Sequence, residues 1–205
     1  MLTVSNSPTP YHHGDLRRAL LDAGIEVLLE RGIDGLSLRE VARRAGVSQA
    51  APYHHFADRA TLLSAIAQQG YHELAEAMRA GADRAGGDAL TRFQGMGIAY
   101  VSFAVAQPAM FRLLFRPELL ATASPEATVA ATEAYRVLEE GLDAAIADGS
   151  VTGDREDIAL SAWCAAHGAA TLYVDGPLAS GDRSPEEVAE VVTTVLGLGF
   201  IPRRA

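Results

Sequence analysis

Helix-stopping glycines and helix-starting caps divide this chain into apolar-periodic runs of helical length, and that punctuation limits its fold more than any other feature. Leu16, Leu20, Ala23, Val27 and Leu28 recur at helical spacing, which predicts a first helix from about Asp15 to Arg31 ended by Gly32. Ser37-Leu38-Arg39-Glu40 has the form of a capping box: the serine accepts from the Glu40 amide while the glutamate reaches back. A short second helix follows and ends at Gly46, and Ser48 is placed to cap a third through about His55, with Pro52 in its first turn. Asp58 caps a fourth, longer helix to about Ala85, with Leu62, Leu63, Ile66, Leu74 and Met78 inward and Gly86-Gly87 breaking it. Further helices are expected at 88–106, 108–116, 125–148, 154–175 and 185–198. In two of them Ser124-Pro125 and Ser184-Pro185 set a cap before a proline at the first helical position, and Ser184 with Glu187 forms a second capping box. No alternating β-branched run occurs, so the fold is expected to be all-α, with about nine helices. Residues 1–10 and 176–184 are expected to be mobile.

At 205 residues the chain can bury a real core, and a small module attached to a larger one fits it best. No apolar run approaches the roughly 18 to 20 residues of a membrane span, and MLTVSNSPTPYHHGD lacks the basic start and apolar stretch of a signal peptide. A soluble, cytoplasmic protein with no membrane partner is expected. A single cysteine, Cys164, excludes an intramolecular disulfide and a multi-cysteine metal site.

The net charge of -9 argues against a nucleic-acid partner only as an average. Residues 1–60 hold seven arginines against seven acids, whereas the rest holds ten arginines against nineteen acids, and no lysine occurs anywhere. A neutral segment bearing His12, His13, His54 and His55 is therefore joined to an acidic one, which is compatible with a DNA-binding head on an acidic body.

Leu38–Ala45 and Ser48–His55, joined by a glycine turn, have the dimensions of a DNA-reading helix-turn-helix. Ala42 and Gly46 are small where the two helices would cross, and Leu38, Val41, Val47, Tyr53 and Phe56 can anchor them on the first helix. Ser48, Gln49, Ala50, Ala51, His54 and His55 face outward, able to bond base edges or phosphates or to touch a thymine methyl. Tyr53 and Phe56 read as core anchors, although a tyrosine hydroxyl can still reach a phosphate. His12 and His13, with Arg17 and Arg18, read either as an arm along the DNA backbone or as a solvated tail.

SLREVARRAGVSQAAPYHHFADRATLL resembles the DNA-binding segment of the tetracycline-repressor (TetR) family, through about residue 66. The resemblance implies an N-terminal helix-turn-helix domain, placed at 11–58, and a larger helical ligand-binding and dimerisation domain, placed at 59–202. It implies that Ser37, Ser48, Tyr53, His54 and Arg59 occupy positions that meet phosphate or base edges, with Gln49, Ala50 and Ala51 facing the groove floor. The family often has a lysine where Arg59 stands and a bulky aliphatic where Pro52 stands, so the contacts expected to depart from its pattern are those at the start of the recognition helix. The implied protein is a homodimeric regulator of operator DNA, in the leading reading a repressor released by a small-molecule inducer, with an activator or a ligand-independent regulator as the alternatives.

Tyr100, Phe103, Met110, Phe111, Leu114 and Phe115 cluster in one stretch broken by Gln107-Pro108, which reads as plain core or as the lining of an inducer pocket. Trp163-Cys164-Ala165-Ala166-His167-Gly168 resembles a Trp-x-x-x-His-Gly signature of one TetR subgroup. Trp163 and His167 share a helix face, where they could orient a ligand or simply pack. Cys164 and His167 could offer two metal ligands, but nothing completes a metal site, and no cofactor is expected. The small residues of 154–175 and the stripe Val188, Val191, Val192, Val195 and Leu198 of 185–198 suit a four-helix bundle between two subunits, or packing within one. An enzyme is not expected: the sequence has no nucleophile elbow, phosphate-binding glycine loop or paired-carboxylate motif.

Overall fold

A computed structural model describes residues 13–116, 119 and 124–200. His12 and the expected mobile residues 1–10 lie outside that range. The described residues form eight α-helices and no strand: α1 His13–Gly35, α2 Leu38–Arg44, α3 Arg59–Ala85, α4 Ala89–Ala106, α5 Pro108–Leu114, α6 Pro125–Ala147, α7 Arg155–Val174 and α8 Pro185–Phe200. Two short 3-10 helices stand at Ala51–His54 and Pro177–Ser180. The second falls in a stretch expected to be mobile, and Tyr173 tethers that stretch by donating from its hydroxyl to the Arg183 carbonyl at 2.9 Å.

Expected caps start α3, α6 and α8, and Asp154 adds one at α7. Asp58 accepts from the Thr61 amide at 2.8 Å, Ser124 from Ala127 at 3.3 Å, and Asp154 from Glu156 and Asp157 at 3.0 Å each. The box at α8 is reciprocal, with the Glu187 amide donating to Ser184 Oγ at 3.2 Å and the Ser184 amide to Glu187 Oε2 at 2.7 Å. At α2 only half of the box forms: Ser37 Oγ accepts from the Glu40 amide at 3.2 Å, while the Glu40 carboxylate turns to Arg43 and Arg31. Charge partners on α1 and one turn along α2 outcompete the backbone amide for that carboxylate.

Gly32 does break α1, with φ 70° and ψ -177°, but one further turn carries the helix to Gly35. Gly46 ends α2 in a Schellman arrangement: its own amide reaches the Arg43 carbonyl at 3.3 Å, and that of Val47 reaches Ala42 at 3.0 Å. Its φ of +68° and the empty space around a Cβ built there show that backbone conformation, not helix crossing, requires glycine. That corrects the expected close approach at Gly46; Ala42 is fully buried as expected.

One apolar core runs from the head into the body. Leu20, Val27, Leu28, Val41 and Phe56 join Leu62 and Ile66 of α3, and the cluster continues through Phe103, Met110 and Leu113. Within the body α6 lies along α3, and α7 and α8 lie against α4. Where α3 crosses α4, a Cβ on Gly81 would lie 2.5 Å from both the Gly95 carbonyl oxygen and Ala99 Cβ, so the two backbones nearly touch. The chain turns by 110° between α4 and α5, and no single described helix is long and apolar enough to cross a membrane.

Candidate nucleic-acid interface and ligand cavity

The expected third helix is not an α-helix. Gln49 and Ala50 form a turn, and the 3-10 helix Ala51–His54 follows with no side-chain cap, which corrects the capping role expected for Ser48. Pro52 is the reason: it has no N–H to complete an α-helical bond to Ser48, so Ala51 donates to the Ser48 carbonyl at 3.0 Å instead. The His55 and Phe56 amides then both converge on the Pro52 carbonyl, at 2.9 and 2.8 Å. Pro52 and Phe56 occupy the buried slots, and Tyr53 turns outward with 54% of its surface exposed, which corrects its reading as a core anchor. Ser37, Ser48, Gln49, Ala50, Tyr53 and His54 are all exposed, and Ala51 and His55 are half-buried.

This outer face rests on a braced scaffold. Arg44 spans Glu26 at 3.1 Å and Glu30 on α1, and Glu40 takes Arg43 at 2.5 Å and Arg31 at 3.1 Å. Hydrogen bonds from Arg44 and from Arg43 hold the Glu30 and Glu40 carboxyls, respectively, below the usual carboxylate range. Arg17 stacks its guanidinium over the Phe56 ring, 5.4 Å from the centroid. Arg59, expected at a phosphate, spends its Nε on the Leu36 carbonyl at 2.9 Å and an Nη on that of Ile33 at 2.5 Å. It therefore clamps the first turn of α3 to the last turn of α1 and to the residue that follows it, sharing the Ile33 carbonyl with the Leu36 amide.

The body encloses a cavity of about 530 Å³ between α3, α6 and α7. Tyr71, Leu74 and Met78 of α3 form one wall, and Ala131, Thr132, Ala134, Tyr135 and Leu138 of α6 form the facing one. Tyr100 of α4, Phe115 beyond α5 and Trp163 of α7 close the sides. A smaller bay of about 40 Å³ shares Met78, Tyr100, Leu138 and Trp163 with it and reaches Thr193 of α8.

The rings form a continuous series. Centroids lie 6.5 Å apart for Tyr71–Phe115, 4.6 Å for Phe115–His167, 6.2 Å for Trp163–His167 and 5.7 Å for Tyr135–Trp163. Tyr100 Oη lies 2.8 Å from His167 Nδ1. Burial raises the Tyr100 phenol above its ordinary range and lowers His167, so both are neutral near pH 7. The two side chains share one hydrogen bond, whose donor is set by the imidazole tautomer.

Two family patterns cover most of the chain: "Bacterial regulatory proteins, tetR family" matches residues 20–66, and "Tetracyclin repressor-like, C-terminal domain" matches residues 93–196. The chain belongs to the TetR family. That is a family of regulatory proteins, not of enzymes. A tetracycline repressor protein of class D from Escherichia coli is 41% identical over 51 residues, 25% of this chain and 23% of that one. An HTH-type transcriptional regulator of Mycobacterium bovis is 31% identical over 140 residues, 66% of this chain. The match spans 57% of that relative's length. Over the whole fold, a protein of unknown function from Rhodococcus sp. RHA1 superposes with a TM-score of 0.83 at 36% identity, covering 95% of this chain and 100% of that one.

Of the eight residues expected to line a pocket in this TetR-family chain, Tyr100, Phe115 and Trp163 stand in the cavity wall, and His167 backs Tyr100. Phe103, Met110, Phe111 and Leu114 are core, between 0% and 6% exposed, because the bend into α5 turns that stretch behind the wall. Tyr71 and the whole α6 wall were not anticipated. The spacing of Ala131, Tyr135 and Leu138 at i, i+4 and i+7 is the signal that could have found the latter. Among the described residues no group of three or more His, Cys, Asp or Glu is arranged to hold a metal ion.

Proposed function

We propose that the protein is a homodimeric, sequence-specific DNA-binding transcriptional repressor, released from its operator when a small molecule enters the body cavity. The observation that carries this reading is the position of α3. Its first turn is clamped to the head through Arg59, and its middle forms one wall of the cavity through Tyr71, Leu74 and Met78. An occupant that separates α3 from α6 would therefore move the head. It can do so only by binding the released conformation more tightly, by about 1–3 kcal/mol for ordinary coupling. Head residues 11–58 would read the operator through Ser48, Gln49, Ala50, Tyr53 and His54, with Ser37 and His55 beside them, while 59–202 would sense and dimerise.

The dimer face proposed is that of α7 and α8. Leu160 and Leu172 on α7, with Val191 and Val195 on α8, are between 44% and 64% exposed. Gly168 lies on the same stretch of α7, and a Cβ built there meets nothing within 4 Å. Four helices from two subunits would close over this apolar strip. Gly168→Leu should keep the monomer folded and shift light scattering from dimer to monomer; an unchanged dimer would refute the face.

DNA binding is tested by footprinting the purified protein on the DNA flanking its own gene, at stated salt with competitor. Protection of a near-palindrome whose half-sites lie about one helical turn or a multiple apart, roughly 34 Å, is expected, and His54→Ala or Gln49→Ala should abolish it. Uniform, competitor-sensitive binding to any duplex would refute sequence-specific reading.

A further inference from the structure

We propose that the body cavity receives an uncharged, mainly aromatic small molecule, taken between ring faces and oriented by the Tyr135 hydroxyl. This rests on the reading of the cavity as a ligand site and names the class of molecule that fits it. Among the described residues the wall contains no carboxylate, guanidinium or ammonium group. A charged ligand entering it would lose hydration with no partner for its charge, a cost that neutral ligands avoid.

Nearly every polar atom of the wall is already committed. The Tyr71 hydroxyl donates to the Leu114 carbonyl at 2.5 Å and the Thr132 hydroxyl to the Thr128 carbonyl at 3.0 Å, and that of Tyr100 shares a hydrogen bond with His167. Burial keeps the Tyr71 and Tyr100 phenols protonated, so neither offers an anion to a cationic ligand. Tyr135 differs. Its hydroxyl makes no hydrogen bond with a described residue, and its ring meets that of Trp163 edge to face at 5.7 Å. Both residues are 37% exposed, which puts this pair at the mouth, with one hydroxyl to offer an entering polar group.

At about 530 Å³ the space falls within the roughly 300–1,000 Å³ range of small-molecule sites and is far larger than one ammonium group, which ring faces alone bind by closing tightly around it. The acidic body repels anions at long range but attracts cations, so an aromatic ammonium is the sharper rival.

Three probes of one shape separate these cases: 4-hydroxybiphenyl, biphenyl-4-carboxylate and biphenyl-4-methylammonium. Binding to the full chain at pH 7.5 is read by calorimetry and by the fluorescence of Trp163, the only tryptophan. The phenol is expected to bind roughly tenfold or more tightly than either ion. Thr132→Phe, at an exposed rim position, should weaken it about tenfold with circular dichroism unchanged. Tyr135→Phe should erase the preference of 4-hydroxybiphenyl over 4-methylbiphenyl. Binding of either ion as tightly as the phenol, no binding by any probe, or phenol binding indifferent to Thr132→Phe overturns the proposal. Phenol binding that leaves operator affinity unchanged supports the ligand class and overturns the inducer reading instead.

Discussion

The head and the body are ordered by different forces. In the head, the elements are braced by directional polar contacts at their ends and flanks: Arg44 across Glu26 and Glu30, Arg59 on the Ile33 and Leu36 carbonyls, Ser37 on the α2 amide. In the body, long helices are ordered by apolar burial, and their rings are left standing around empty space. Directional bonds hold a backbone in place without consuming its outer face, so Ser48, Gln49, Tyr53 and His54 can stay exposed and polar. Apolar burial tolerates a void only if the surrounding packing carries the fold, and here the second core of Leu142, Ala145, Val151 and Ile158 locks α6 to α7 at the end away from the head.

Truncating one aromatic ring in each region gives the largest contrast. Phe56 is 1% exposed and seats the 3-10 helix on the head core, so Phe56→Ala should cost about 3–5 kcal/mol in urea melts. Trp163 already borders the cavity, and Trp163→Ala should cost about 1 kcal/mol or less. Equal losses would mean that the cavity wall bears load like a closed core. The next effect lies in the body backbone. Gly81→Ala forces a Cβ to 2.5 Å from the Gly95 carbonyl, which should destabilise by about 1–3 kcal/mol, whereas a neutral melt would show that α3 and α4 can separate freely.

Much of this was legible in the sequence, because caps and glycines act locally. Asp58, Ser124 and Ser184 mark helix starts that the structure keeps, and Gly46 and Gly86 mark stops. Misreadings arose where a local signal met a competitor from elsewhere in the fold. Glu40 left its capping box for arginines, Pro52 converted an expected α-helix into a tight 3-10 turn, and Tyr53 yielded its buried slot to the proline beside it. The cavity was half visible. Tyr100, Phe115 and Trp163 announce themselves as aromatics near one another in sequence or on a helix face, but a wall of Ala131, Thr132 and Ala134 has no chemistry until α6 is laid against α3. Arg59 shows the limit of reading a position by resemblance: a guanidinium expected at a phosphate turns out to be engaged by carbonyls of its own chain.

Arg59 also supplies the third test. Arg59→Met keeps the aliphatic stem, removes the donor to the part-buried Leu36 carbonyl and takes one of two donors from that of Ile33, for an expected loss of about 1–2 kcal/mol in melts. An unchanged melt together with a reduced salt slope of DNA binding would instead assign the side chain to phosphate.

The smallest expected effect separates the regions by pH. His167 is held below its usual 6.5 by burial, so between that value and its lower folded pKa the unfolded chain binds a proton that the folded chain does not. Its contribution to stability is full above about pH 6.5 and declines as pH falls through that window. The Glu30 and Glu40 carboxyls, held down by their arginines, behave otherwise: their support is intact above the ordinary 4.5 and is lost only as pH falls through their depressed values. Between pH 7.5 and 5, then, His167 should weaken the body while these head pairs hold. Hydrogen exchange should show α7 amides losing protection first in the wild-type protein, and His167→Gln should remove that pH dependence without altering exchange in α1 and α2. If the dependence survived in the variant, a group other than the imidazole bonded to Tyr100 would have to carry it.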